Sequence, residues 1–167
     1  MRKIHLGFVI GTTTLLGTLL VPVFTNAPAI YAQHQPTQPQ SSTTGQGQTI
    51  VMHLNHGTDD LHAAFMALKL GTNLQKRGAQ VMLVLTLEGV RIADKDQPLN
   101  LRWGSSSMTL GELYDQFVAA GGKVMVCPVC AEAVGLTASN LRSGARLAQE
   151  DQDIPSLILA ADKVMDF

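Results

Sequence analysis

Charge is scarce in this chain. Only 15% of its 167 residues are Asp, Glu, Lys or Arg, and 12 basic against 13 acidic side chains leave a formal net charge of −1. It offers no basic field for nucleic acid and no acidic field for a cationic partner. Cysteine is scarcer still, with Cys127 and Cys130 the whole supply. Two ligands do not make a zinc site, and no second Cys/His pair has finger spacing, so no metal is expected at the thiols. What the chain has is apolar surface: hydrophobic residues make up 46%, enough to bury one core, with too little length for two domains.

The amino terminus reads as an export signal. Arg2 and Lys3 form a positive start, Leu6 to Val21 is apolar with only threonines and glycines between, and Ala27-Pro28-Ala29 and Ala32 offer small-residue cleavage sites. A signal peptide over 1–32, cut after Ala32, is the expectation. The alternative is an uncleaved anchor, since the apolar stretch is near the lower limit of roughly 17 residues for a spanning helix. No cysteine lies near the cleavage region to carry a lipid. Cleavage would leave no stable membrane span and place the protein in the periplasm or outside the cell, where a Cys-x-x-Cys pair is disulfide-bonded at least part of the time. Residues 33–48 lack any apolar side chain and cannot repay their ordering entropy, so they read as a flexible tether. The folded domain is placed at 49–167.

Within that domain Ile50 to Leu54 reads as a buried strand ending at the turn Asn55-His56-Gly57. Asp59 or Asp60 then caps a helix that Gly78 stops, and Gln80 to Leu87 is a second buried strand. Glu88 to Ser107 reads as a polar, irregular stretch: a functional flap or oligomer contact, or else a surface excursion with Trp103 tucked in. Thr109-Leu110-Gly111-Glu112 has capping-box spacing and opens a helix to Gly121-Gly122. The strand Lys123 to Val126 runs into Cys127-Pro128-Val129-Cys130 and an alanine-rich helix. Leu141, Ala145 and Ala148 suggest another helix over Ser139 to Ala148, Ile154 to Ala161 is apolar with an early Pro155, and Lys163 to Phe167 can add a last strand. The alternation predicts an α/β fold: a three-layer α/β/α domain on a mostly parallel sheet of about five strands.

Open parallel sheets carry their functional loops at the carboxyl ends of the strands. Cys127 sits at one such end, and Pro128 favours the first helical position, which makes Cys127 the helix N-cap, in a setting that stabilises thiolate. Cys127 is the expected nucleophile. Cys130, one turn later, is placed to resolve a bond formed there. A structural disulfide or a packed thiol pair is the bland alternative, although a bridge that short constrains little. A thioredoxin-type oxidoreductase fits the local motif, but only 37 residues follow Cys130, too few for the rest of that fold.

His56, in the loop expected near Cys127, could pair with the thiolate or bind an anionic sulfur species. Asp60 and Glu88 lie in the same set of strand-end loops and are further binding candidates, with a surface ion pair to Arg91 the simpler reading of Glu88. His53 reads as a hydrogen-bonded strand residue. A metal site from His56, His62 and Asp60 is the remaining possibility for these groups.

The order Leu85-Thr86-Leu87-Glu88-Gly89-Val90, a strand running into a cysteine, Gly135, Asn140-Leu141-Arg142-Ser143-Gly144 and a closing Ala161 to Phe167 resembles the DsrE/TusD-like (DsrE/DsrF-like) family of sulfur-relay proteins. The resemblance implies a Rossmann-like or flavodoxin-like fold without nucleotide or other cofactor, and homo- or hetero-oligomers such as trimers and hexamers. It also implies that the cysteine eight residues before the glycine, Cys127 before Gly135, carries sulfur as a persulfide. A sulfur donor or acceptor protein, or a small sulfur species, would be the partner. Ala133 and Val134 stand where the family's relay proteins tend to have basic residues, and the second cysteine lets a persulfide collapse to a Cys127–Cys130 disulfide with release of sulfide. The export signal argues against tRNA thiolation. The reading from another class is a non-catalytic oligomeric binding or scaffold protein with a structural Cys127–Cys130 pair.

Overall fold

The computed structural model describes residues 44–149 and 152–167. The expected signal peptide and the first part of the tether lie outside the described residues. The end of the tether is not loose: Gly45 N–H donates to the Arg77 carbonyl at 2.8 Å, and the Gln48 carbonyl accepts from Gln80 N–H at 2.8 Å.

Five short apolar runs become the strands β1 (Thr49–Leu54), β2 (Gln80–Leu85), β3 (Lys123–Val126), β4 (Ala145–Leu147) and β5 (Lys163–Asp166). They form one sheet in the order β4-β3-β2-β1-β5, every pairing parallel. Four helices connect them: α1 (Leu61–Lys76), α2 (Leu110–Ala119), α3 (Pro128–Ala133) and α4 (Asp153–Ala160). Parallel neighbours cannot be joined by hairpins, so each connection crosses a face of the sheet.

The strands alternate with period two. Ile50, Met52 and Leu54 join Leu83, Leu85, Val124 and Val126 in the main core, together with Phe65 and Leu68 of α1 and Leu113, Tyr114 and Phe117 of α2. Val51, Val84 and Met125, also buried, alternate with them and so face the other way. The strands β1 to β4 march in one direction across the sheet and β5 returns to the far side of β1. Right-handed crossovers therefore put α4, which packs against β1, on the face opposite α1 and α2. This is the three-layer α/β arrangement.

Local signals work as expected at several ends. Asp60, rather than Asp59, caps α1 by accepting from Ala63 N–H at 3.0 Å. Thr109 and Glu112 form a reciprocal capping box on α2. The helix expected over Ser139 to Ala148 is absent: a single 3-10 turn, Ala138–Asn140, is followed by β4. Gly144 has φ +85°, which ends helical continuation, and β4 instead extends the sheet beside β3. The second strand stops at Leu85, because Leu87 turns into left-handed backbone at φ +46°. A 3-10 helix, Leu87–Ala93, follows, and its Val90, Ile92 and Ala93 are fully buried, so the start of the stretch read as a polar excursion is core. Trp103 is not tucked in; its ring stacks on His62 with centroids 4.0 Å apart and remains 42% exposed.

Candidate functional site

The carboxyl ends of β1, β2 and β3 bring three loops to one edge of the sheet. The β3 end is short and fixed. Cys127 N–H donates to the Leu85 carbonyl at 2.9 Å, and the Cys127 carbonyl accepts from Ala131 N–H at 2.9 Å, which opens α3. Pro128 occupies the first turn and Cys127 is the N-cap, but its thiol caps no backbone N–H. The six-residue α3 leaves that sulfur free for other partners.

Both cysteines are free thiols and half-buried. Cys130 shares a hydrogen bond with Cys127 and accepts one from the Leu87 backbone N–H. Burial first, and the bond to Cys127 second, push the Cys130 thiol above its ordinary value of 9.0, while the Leu87 N–H works against them. Cys130 is thus held as a thiol at neutral pH. The donor from the 3-10 helix after β2 comes at a conformational cost: left-handed backbone at a residue with a Cβ costs roughly 1–2 kcal/mol, and Leu87 adopts it with its side chain 63% exposed.

A cavity of about 290 Å³ opens beside Cys127, between α3 and the start of α4, lined by Cys127, Pro128, Val129, Ala148, Gln149 and Ile154.

The polar candidates are engaged elsewhere. His56 Nδ1 lies 2.7 Å from an Asp59 carboxylate oxygen, and the other oxygen accepts from Gly57 N–H at 2.6 Å. Asp60 is used by the α1 cap. Glu88 accepts from Arg91 Nε at 2.7 Å. No bond found for His56, Asp60 or Glu88 reaches a cysteine. The His56–His62–Asp60 metal set does not assemble, because His62 is stacked on Trp103 and Asp60 is capping. Among the described residues no group of three or more His, Cys, Asp or Glu side chains could hold a metal ion.

A chain of hydrogen bonds that the sequence reading did not foresee lies beside this site. Asp166 meets His53 Nδ1 at 2.6 Å, and His53 Nε2 meets Thr86 Oγ1 at 2.8 Å. Asp166 and His53 are register partners across the β1–β5 pairing, where the strand order changes direction. Such a switch point is the usual ligand crevice of an open α/β sheet. Here it holds this polar chain, and the cysteines stand two strands away.

The His56–Asp59 pair makes a pH prediction. The hydrogen bond to Asp59 is the main reason the His56 imidazolium is favoured above its ordinary 6.5. Burial pushes Asp59 up, but the bonds from His56 and Gly57 outweigh it and hold the carboxyl below its ordinary 3.8. A raised histidine stabilises the loop fully below about pH 6.5 and loses that contribution as pH rises through its folded pKa; the depressed carboxylate contributes above about 3.8 and loses it as pH falls. In a proton NMR titration Asp59→Asn should return His56 to an ordinary midpoint. An unchanged midpoint would contradict the pairing.

The comparisons with known proteins give a family from the family model and a fold from solved structures. A family model described as "DsrE/DsrF-like family" matches residues 49–167. The structure is similar to the crystal structure of the YchN protein from E. coli, at 18% identity and a TM-score of 0.56, covering 72% of this chain and 98% of that one. It is also similar to MTH1491, a protein of unknown function from Methanobacterium thermoautotrophicum, at 16% identity and a TM-score of 0.51, covering 67% of this chain and 88% of that one. At these identities the two structures speak for the fold alone. A search of curated proteins finds no match.

Proposed function

Because the chain belongs to the DsrE/DsrF-like family, for which a sulfur-relay role is the general expectation, we propose that it is an exported protein that handles sulfane sulfur at Cys127, with Cys130 as the resolving thiol. The observation that carries this reading is the pairing of two free, hydrogen-bonded cysteines at the end of β3 with a cavity open to the first of them. The Cys127 thiolate attacks the outer sulfur of a persulfide donor R–S–SH; the new S–S bond forms on Cys127 and RS⁻ leaves. An acceptor thiolate can then take that sulfur. If none does, the Cys130 thiolate attacks Cys127 Sγ, forms the Cys127–Cys130 disulfide and expels HS⁻.

The raised pKa of Cys130 gives this scheme a pH dependence. Collapse requires Cys130 as thiolate, whose fraction grows about tenfold per pH unit below its pKa. Sulfide release from the polysulfide-treated protein should therefore be slow near neutrality, accelerate as pH rises, and vanish in Cys130→Ser. Sulfide release that persists in Cys130→Ser would remove the resolving role.

The same reading makes the protein a homo-oligomer, a trimer or hexamer, in the periplasm or outside the cell. Leu159, 88% exposed, Ile158 and the edge-strand residue Val164 present apolar surface of the kind a partner copy covers. No described helix is long and apolar enough to cross a membrane. That face also suits a non-catalytic oligomeric scaffold with a structural cysteine pair, which would keep its assembly and its partner in Cys127→Ser.

A further inference from the structure

The walls of the Cys127 cavity say what kind of donor can enter. Pro128, Val129, Ala148 and Ile154 contribute hydrocarbon, Gln149 contributes a neutral amide, and among the described residues no Lys, Arg or His lines it. The nearby chain does hold a cation, Arg146, but its guanidinium lies 2.6 Å from an Asp153 carboxylate oxygen and also donates to the Leu147 carbonyl. The same Asp153 oxygen accepts Gln149 N–H at 2.9 Å. Among the described residues, the charges of Arg146 and Asp153 at this end of α4 are therefore already paired. The rim is apolar too: Val129, in the cavity wall, is 67% exposed. An anionic donor would shed water on entering and find no cation in return, whereas an uncharged one gains from apolar contact. At about 290 Å³ the space lies at the lower end of ligand pockets.

Resting on the reading of Cys127 as a sulfane-sulfur nucleophile, we infer that the small-molecule donor is an uncharged organic polysulfide, of the dialkyl trisulfide class, and not an anionic sulfur species. Cys127 thiolate attacks the central sulfur of R–S–S–S–R; a Cys127–S bond forms, one S–S bond of the donor breaks, and RS⁻ leaves, giving Cys127–S–S–S–R with the cysteine sulfur as its first member. The Cys130 thiolate then attacks Cys127 Sγ, forming the protein disulfide and expelling RSS⁻. The two thiolates are oxidised by two electrons in all, the trisulfide is reduced by two, and its sulfane sulfur leaves in the alkyl persulfide.

The test uses the full chain carrying Cys130→Ser, so that the first adduct is retained and read by intact mass. Dipropyl trisulfide and bis(2-carboxyethyl) trisulfide have the same reacting centre and differ in charge. The ratio of their rates at Cys127 should exceed the ratio measured with 2-mercaptoethanol by at least tenfold. Gln149→Lys, at an exposed position beside the cavity, should cut that excess severalfold. If the dicarboxylate reacts with the same ratio as toward 2-mercaptoethanol, the inference is overturned while the sulfur-handling reading stands. If neither trisulfide adds sulfur although iodoacetamide still alkylates Cys127, the sulfur-handling reading fails and this inference with it.

Discussion

Gly89→Ala is expected to destabilise the domain by about 3 kcal/mol, at the upper end of the usual cost of forcing atoms into a packed site. A Cβ at Gly89 would fall on the Leu54 carbonyl oxygen, 3.1 Å from that carbonyl carbon and 3.3 Å from the His56 carbonyl oxygen. None of these can step aside cheaply. The Leu54 carbonyl already accepts Thr86 N–H at 3.1 Å, and Gly89 N–H itself is held by the Asn55 and Thr86 carbonyls at 3.2 and 2.9 Å. The contact is backbone against backbone, and it locks the loop after β1 onto the turn after β2. That turn presents the Leu87 N–H to Cys130, so the substitution should also disturb the thiol pair. A urea titration reads the first effect as a lower midpoint, and the Cys130 alkylation rate reads the second. A midpoint equal to that of the parent protein would show that the close approach does not hold the site.

Arg142→Ala is expected to cost about 3 kcal/mol as well. Its guanidinium donates to three carbonyls, those of Ile92 at 3.3 Å and of Asp94 and Gln97 at 2.9 Å each, and sits over the Tyr114 ring, 5.8 Å from its centroid. Hydrogen bonds from a charged donor contribute about 1.5–3 kcal/mol each, and partial rehydration of the freed carbonyls reduces the sum. The pin matters because it ties the 3-10 helix after β2 to the segment entering β4. Burial pushes the Tyr114 hydroxyl up to about 12, with Arg142 pulling against it; the hydroxyl donates to the Ser143 carbonyl at 3.1 Å. Arg142→Lys should recover only part of the loss, since an ammonium cannot fork to carbonyls in different directions. Denaturant unfolding of the two variants checks the order. Equal stability of Arg142→Lys and the parent would show that charge alone, without the fork, does the pinning.

Much of this fold was legible in the chain. Apolar runs marked β1, β2, β3 and β5, the capping box marked α2, and the step from Val126 into Cys127-Pro128 marked the start of α3. The segment around β4 was not, because Leu141, Ala145 and Ala148 have the spacing of a helical stripe. What decides between helix and strand there is the left-handed Gly144 together with a free edge of β3 to pair with. Neither is local information. The site divides in the same way. Glu88–Arg91 and His56–Asp59 are partners three residues apart, within reach of sequence reasoning, and they explain why His56 and Glu88 are engaged away from the thiols. His53 and Asp166, by contrast, are 113 residues apart and meet only because β5 returns to the side of β1. The left-handed turn at Leu87 carries no glycine to announce it, yet it supplies the N–H that bonds Cys130.

The central claim is that Cys127 takes up sulfur and Cys130 resolves it. The most direct measurement is the intact mass of the reduced protein after exposure to an uncharged organic polysulfide, with Cys127→Ser and Cys130→Ser alongside. The account predicts added sulfur that survives in Cys130→Ser and disappears in Cys127→Ser, with the parent protein passing on to the disulfide. If no variant gains sulfur and the parent only loses two hydrogens, the pair is a disulfide switch or staple and the account is contradicted.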